Sequence, residues 1–85
     1  MKRKELTKLR NDTKKRNLDW LKEGNKNTFY KCEHCLNLIE TIQPQKKMVT
    51  SKGFWDSAMV CINCGEINFV RVYPSGKTES FKLGN

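Results

Sequence analysis

Cys32-Glu33-His34-Cys35 and Cys61-Ile62-Asn63-Cys64-Gly65, separated by 25 residues, hold all four cysteines of the chain. Cysteines three positions apart in a tight turn aim both sulfurs at one point. Two such turns facing each other supply four thiolates, a donor set that suits the tetrahedral preference of Zn²⁺. The spacing therefore predicts one structural zinc ion held by Cys32, Cys35, Cys61 and Cys64. Gly65 fits, because such a turn calls for a residue that tolerates positive φ while amide N–H groups point at sulfur. Three other uses of the same cysteines compete. Two disulfides, in any of three pairings, need an oxidising compartment, and Met1-Lys2-Arg3-Lys4-Glu5-Leu6 shows no apolar signal segment. A redox-active Cys-x-x-Cys pair needs a βαβ context, for which 85 residues leave little room. A mononuclear Fe(Cys)₄ site is the nearest rival, because sulfur spacing alone does not choose the metal. His34 sits between the first two cysteines, but four thiolates complete a tetrahedron, so it is expected on the exposed side of the turn.

Outside this frame the chain is basic and poor in apolar residues. Its hydrophobic fraction is 36%, and a core that small calls for a metal to supply much of the folding free energy. No stretch approaches the roughly 20 apolar residues of a membrane span. A soluble protein of a reducing compartment, the cytoplasm, is expected. The formal net charge is +8, of which residues 1–24 carry +5 from nine Lys/Arg and four Asp/Glu. That concentration favours a polyanionic partner, nucleic acid first. The plainer reading is a solubilising excess of lysine.

Two segments follow from composition and pattern: a basic helical arm over residues 1–24 and a metal-stabilised domain over residues 25–85. Residues 4–23 lack Pro and Gly and are rich in Lys, Leu, Arg and Glu. As a helix they place Leu6, Leu9, Thr13, Asn17, Trp20 and Leu21 on one side and Lys4, Lys8, Lys14, Lys15 and Lys22 largely on the other. Asn11-Asp12-Thr13 could instead start a second helix, and Gly24 is a stop signal. Thr28–Lys31 reads as a strand into the first cysteine pair. Leu36, Leu38, Ile39 and Ile42 mark a second strand ending at Pro44, and Lys46–Thr50 has strand character too. Ser51-Lys52-Gly53 is a turn, and Phe54–Val60 returns to the second pair. Ile67, Phe69, Arg71 and Tyr73 alternate with Asn68, Val70 and Val72. Pro74-Ser75-Gly76 then turns the chain, and Lys77–Leu83 leads back as a hairpin.

The two cysteine pairs, the extended segments between them and the Cys-Gly ending of the second pair resemble a zinc ribbon over about residues 28–73, a span set by the strand signals. The resemblance implies a small α+β metal-stabilised fold. Two cysteine turns would clamp zinc at one end of a short antiparallel sheet, here preceded by the basic helix. The spacing is similar to that in transcription elongation factor S-II and in the small ribbon subunits of RNA polymerases. The S-II ribbon carries an acidic pair at its hairpin tip that assists RNA cleavage. Thr50-Ser51-Lys52-Gly53-Phe54-Trp55 has no carboxylate there, so that activity is not implied. Cys61 to Glu66 also resembles the Cys-x-x-Cys-Gly-Glu of antitoxins with an N-terminal ribbon, whose helix-turn-helix half has no counterpart among the 21 residues after Cys64. Small basic ribbons also look like phage-encoded regulators.

Two functions of different class follow. The first is a non-enzymatic module that binds DNA or RNA in transcription control, with Lys4, Lys8, Lys14, Lys15 and Lys22 on phosphates and the ribbon as scaffold. The second is a protein adaptor that meets RNA polymerase or another protein through Leu6, Leu9 and Trp20, or through Phe54-Trp55. Aromatics at a loop tip serve equally to stack on a partner or to pack on the sheet. Tyr30, Phe69 and Tyr73 read as sheet and core residues. Lys46, Lys47, Lys52, Arg71, Lys77 and Lys82 form at most a diffuse basic surface. Catalysis is not expected, because four thiolates leave the metal no open position and the nine carboxylates form no acid–base pair. Neither a membrane nor a small-molecule substrate is expected.

Overall fold

Helix α1 (Arg3–Lys22) runs unbroken through Asn11-Asp12-Thr13, as its helix-favouring composition allows. It is the first element of the computed structural model, which describes residues 2–82. Its end is a Schellman motif: Gly24 N–H donates to Leu21 O at 3.0 Å and Asn25 N–H to Trp20 O at 3.2 Å. That geometry needs a left-handed residue, and Gly24 supplies it at φ 89°.

Five strands follow. β1 (Asn27–Lys31) pairs antiparallel with β2 (Leu38–Ile42), Tyr30 facing Ile39. β3 (Trp55–Val60), β4 (Ile67–Val72) and β5 (Thr78–Ser80) form an antiparallel meander. The strands thus divide into a two-stranded and a three-stranded sheet with no backbone ladder between them. Side chains bridge the gap. Thr78 Oγ1 donates to Phe29 O at 2.9 Å, Thr28 Oγ1 to Gly76 O, and the Gln43 amide to Pro74 O. Lys46–Met48 is a 3₁₀ turn rather than a strand. It follows Pro44, which lacks a donor, and it closes on itself through Met48 N–H to Gln45 O at 2.9 Å. Leu83, expected in the last strand, lies outside the described residues.

The molecule is only 17 Å thick against 38 and 37 Å in its other dimensions. With packed layers about 10 Å apart, there is depth for one core layer. It consists of Tyr30, Ile39, Met59, Val70 and Val72 with Cys32 and Cys61. Along β4 the Asn68-Val70-Val72 side is the buried one. Arg71 shares its parity with Phe69 and Tyr73, so turning the aromatics inward would have buried a guanidinium. Phe69 and Tyr73 instead sit on the opposite face, half-buried against Phe81 and Phe54. Arg71 stacks on Phe54, 3.8 Å from the ring centre, while its fork holds Asp56 at 2.9 and 3.2 Å.

Candidate metal centre

The two cysteine turns have the same backbone geometry. In the first, Leu36 N–H returns to Cys32 O at 2.9 Å and Cys32 N–H reaches Asn37 O at 3.0 Å. In the second, Gly65 N–H returns to Cys61 O at 2.8 Å and Cys61 N–H reaches Glu66 O at 2.9 Å. Both turns need a left-handed residue just after their second cysteine. Gly65 adopts it at φ 81°, and Leu36 occupies the equivalent place at φ 64°. The left-handed conformation costs an L-residue about 1–2 kcal/mol. Leu36 is 65% exposed, so its side chain contributes little burial in return. Leu36→Gly is therefore expected to raise the stability of the metal-loaded protein by about 0.5–1 kcal/mol, after glycine's extra unfolded-state entropy is subtracted. A thermal melt checks this. An unchanged or lower midpoint would mean that the leucine side chain holds the turn.

The four sulfurs lie within 4.8 Å of one another. Cys32 Sγ is 3.6 Å from Cys64 Sγ, and Cys35 Sγ is 3.8 Å from Cys61 Sγ. These separations exclude disulfides, which need about 2.05 Å. They match the edge of about 3.8 Å expected of a tetrahedron with 2.3 Å metal–sulfur bonds. N–H groups face the cluster: Cys35 N–H and the Asn68 side chain on Cys32 Sγ, Asn63 N–H on Cys61 Sγ, and the Asn63 side chain on Cys35 Sγ, at 3.3–3.5 Å. Asn68 is fully buried and takes Glu33 N–H on its Oδ1 at 2.9 Å, so one side chain braces the first turn against β4.

The thiols do not share one ionisation state. Asn63 and Asn37 donors draw Cys35 down to about 6. Burial raises Cys32, but the Cys35 N–H and the Asn68 side chain outweigh it and lower its pKa. Burial pushes Cys61 up. The Glu66 N–H pulls Cys64 down, yet lost hydration and the neighbouring sulfurs prevail and push it up to about 12. Four negative sulfurs this close repel one another. A divalent cation at their centre removes the conflict, because a coordinated thiol is deprotonated outright. The donor set therefore fits a four-coordinate metal ion.

Helix α1 is docked beside this centre, and mostly by polar groups. Arg10 Nε donates to Ile62 O and Arg10 Nη2 to Asn63 O at 3.2 Å, both in the second cysteine turn. Asn17 is buried and donates to Glu40 O on β2 at 3.2 Å, while its own carbonyl accepts from the Asn27 side chain at 3.0 Å. Trp20 Nε1 donates to Gln43 O at 3.2 Å. Leu6, Leu9 and Thr13 are half-buried on the same side as Asn17 and Trp20. Leu21, expected in this stripe, is 45% exposed. On a helical wheel it falls at the margin of the docked face.

The other candidates are placed as follows. Lys4, Lys8, Lys14, Lys15 and Lys22 are all exposed. Phe54 and Trp55 are half-buried, Phe54 between Tyr73 and Arg71 and Trp55 against the core. His34 is exposed, with Nε2 3.3 Å from Ile67 O. Among the described residues no helix is long and apolar enough to cross a membrane. Arg10, Asn63 and Asn68 serve the site without having been singled out from sequence. The two turns align residue for residue, with Leu36 opposite Gly65, and that alignment was the available signal for Leu36. For Arg10, Asn63 and Asn68 there was none. Comparison with protein-family models, with curated proteins and with solved structures found no match.

Proposed function

We propose that this chain is a non-enzymatic, zinc-binding module that binds nucleic acid through the outer face of α1. One observation carries the reading. The helix is held by its Arg10-Asn17-Trp20 side, and the lysines on the rest of its surface are exposed and take part in no ion pair among the described residues. Lys4, Lys8, Lys15 and Lys22 fall within about 40° of one another around the helix and span about 27 Å along it. Glu5, Asp12 and Asp19 border the ridge on one side, which gives an approaching phosphate backbone a preferred edge. Phosphate contacts of this kind bring affinity with little base specificity. Zinc is the proposed ion because a closed set of four thiolates is its structural site. A role in transcription control is supported by the likeness of the cysteine frame to transcription-associated ribbons.

Changing Lys4, Lys8, Lys15 and Lys22 to Gln is expected to weaken binding to duplex DNA and to flatten its salt slope by up to about 0.9 per lost contact, or about 3.6 for the four. Titrations at several salt concentrations measure both, with single-stranded RNA as a parallel ligand. A variant that binds like the parent would remove the basis of the reading.

The adaptor reading draws on a different surface. Leu6, Leu9 and Trp20 are half-buried on the docked side of α1, so this reading rests on Phe54-Trp55, both half-exposed. A partner held there would bind with little dependence on salt.

A further inference from the structure

A groove of about 390 Å³ runs between α1 and the start of β2, with Arg10 and Lys14 on its helix side, Leu38 and Ile39 on its strand side and Ile62 at the second cysteine turn. Successive side chains of a strand point to opposite faces. A groove touched by both Leu38 and Ile39 therefore follows the edge of β2 rather than either face. The register fixes what that edge offers. Cys32 N–H donates to Asn37 O and Gln43 N–H to Lys26 O, so Asn37, Ile39, Thr41 and Gln43 are the residues that bond across to β1. Leu38 and Glu40 alternate with them, and their backbone groups point away from β1. The Glu40 carbonyl is taken by Asn17 of α1, whereas Leu38 N–H and C=O have no partner among the described residues. The Leu38 side chain is 70% exposed. No lining residue carries a carboxylate. Lys14 forms no ion pair with any described residue, and Arg10 keeps Nη1 free beyond its bonds to Ile62 O and Asn63 O.

We propose that this groove takes an extended acidic peptide segment of another protein, which pairs its backbone with the Leu38 edge of β2 and sets carboxylates against Lys14 and Arg10. An open strand edge is a template for one more strand, whose backbone bonds supply affinity while the side chains around it select sequence. The lining shows the selection. Leu38 and Ile62 offer contact to an apolar side chain, and two cations with no carboxylate beside them favour negative charge. A nucleic-acid strand brings the charge but no regular row of N–H and C=O groups for a strand edge. A second copy of this chain fits no better. Its nine carboxylates lie at least four positions apart, and the closest two, Asp19 and Glu23, sit at the end of α1. The groove is also separate from the lysine ridge, because Lys14 lies about 80° around the helix from the nearest ridge lysine. The inference therefore stands without the nucleic-acid reading.

The test is an NMR titration of the isotope-labelled, metal-loaded full chain, at physiological salt, with a short capped peptide of alternating Asp and Val. The expected result is saturable one-to-one binding, with shifts centred on Lys14, Leu38, Ile39 and Ile62 and slower hydrogen exchange at the Leu38 amide. Lys14→Glu, a change at an exposed position, should weaken the peptide about tenfold. Gln at Lys4, Lys8, Lys15 and Lys22 should leave its affinity within about twofold, because those charges are screened from the groove. The same peptide N-methylated throughout keeps its charges and side chains but loses its N–H groups, and should bind about tenfold more weakly. Absence of saturation, shifts that follow the lysine ridge, equal binding of an alternating Lys and Val peptide, or full binding of the N-methylated peptide would each overturn the proposal. So would single-stranded DNA that displaces the peptide and shifts the same amides, since the groove would then belong to nucleic acid.

Discussion

Stripping the metal from the purified protein with a chelator is expected to unfold the strand region, residues 27–80, in one cooperative step. The reason is the scarcity of other cohesion. The core is one layer deep, and no backbone ladder joins the two sheets. Structural zinc contributes about 10–16 kcal/mol in small zinc-finger peptides, more than the whole net stability of most small domains. Cys64→Ser should act similarly, because it removes one of four ligands and leaves three crowded thiols. Tryptophan fluorescence and circular dichroism follow the unfolding, and native mass spectrometry should count one Zn²⁺ per chain. A chain that keeps its melting midpoint without metal would show that the core suffices. A red, iron-loaded protein would keep the site and replace the zinc.

The second large effect is expected at a residue that no metal touches. Asn17→Ala should destabilise the metal-loaded protein by about 1–3 kcal/mol, because it deprives the Glu40 carbonyl of its donor and leaves a void beside Arg16. For a chain of this size, that lowers the melting midpoint by about 4–20 °C. The exposed lysine ridge supplies the control, since Gln at Lys4, Lys8, Lys15 and Lys22 should change stability by no more than about 0.5 kcal/mol. If residues 1–24 were a detachable arm, Asn17→Ala would have no more effect than the lysine changes. Equal midpoints for the two variants would therefore undo the description of α1 as docked.

The cysteine frame, the stop at Gly24, the strands leading into and out of each cysteine turn and the last hairpin were legible because each is a local signal. Spacing, a glycine or an alternating run is enough to specify them. The docking of α1 was legible only in part. Hydrophobic periodicity found Leu6, Leu9 and Trp20, but Arg10 and Asn17 do much of the joining. Polar residues bury only where a particular carbonyl awaits them, and no sequence period encodes that. Lys46–Thr50 reads as strand-like, but Lys46–Met48 follows Pro44 and closes on itself through Met48 N–H to Gln45 O, so it turns. Leu36 hid a left-handed position because the usual marker, glycine, is present at the matching place in the second turn alone. The division into two sheets was equally silent, because strand signals say nothing about which strands become neighbours across the chain.

That division has a kinetic consequence. Each sheet consists of strands consecutive in the chain, so its pairings are short-range and its hairpins close in about 1–10 μs. If the four cysteines hold the proposed ion, what separates the hairpins from the native state is the meeting of two marginal sheets around it. On that proposal the slow step of folding would be bimolecular, with a rate that rises with free metal until the encounter saturates. Chain length matters little to such a search, and the supply of the ion in its surroundings sets how long a newly made molecule remains open.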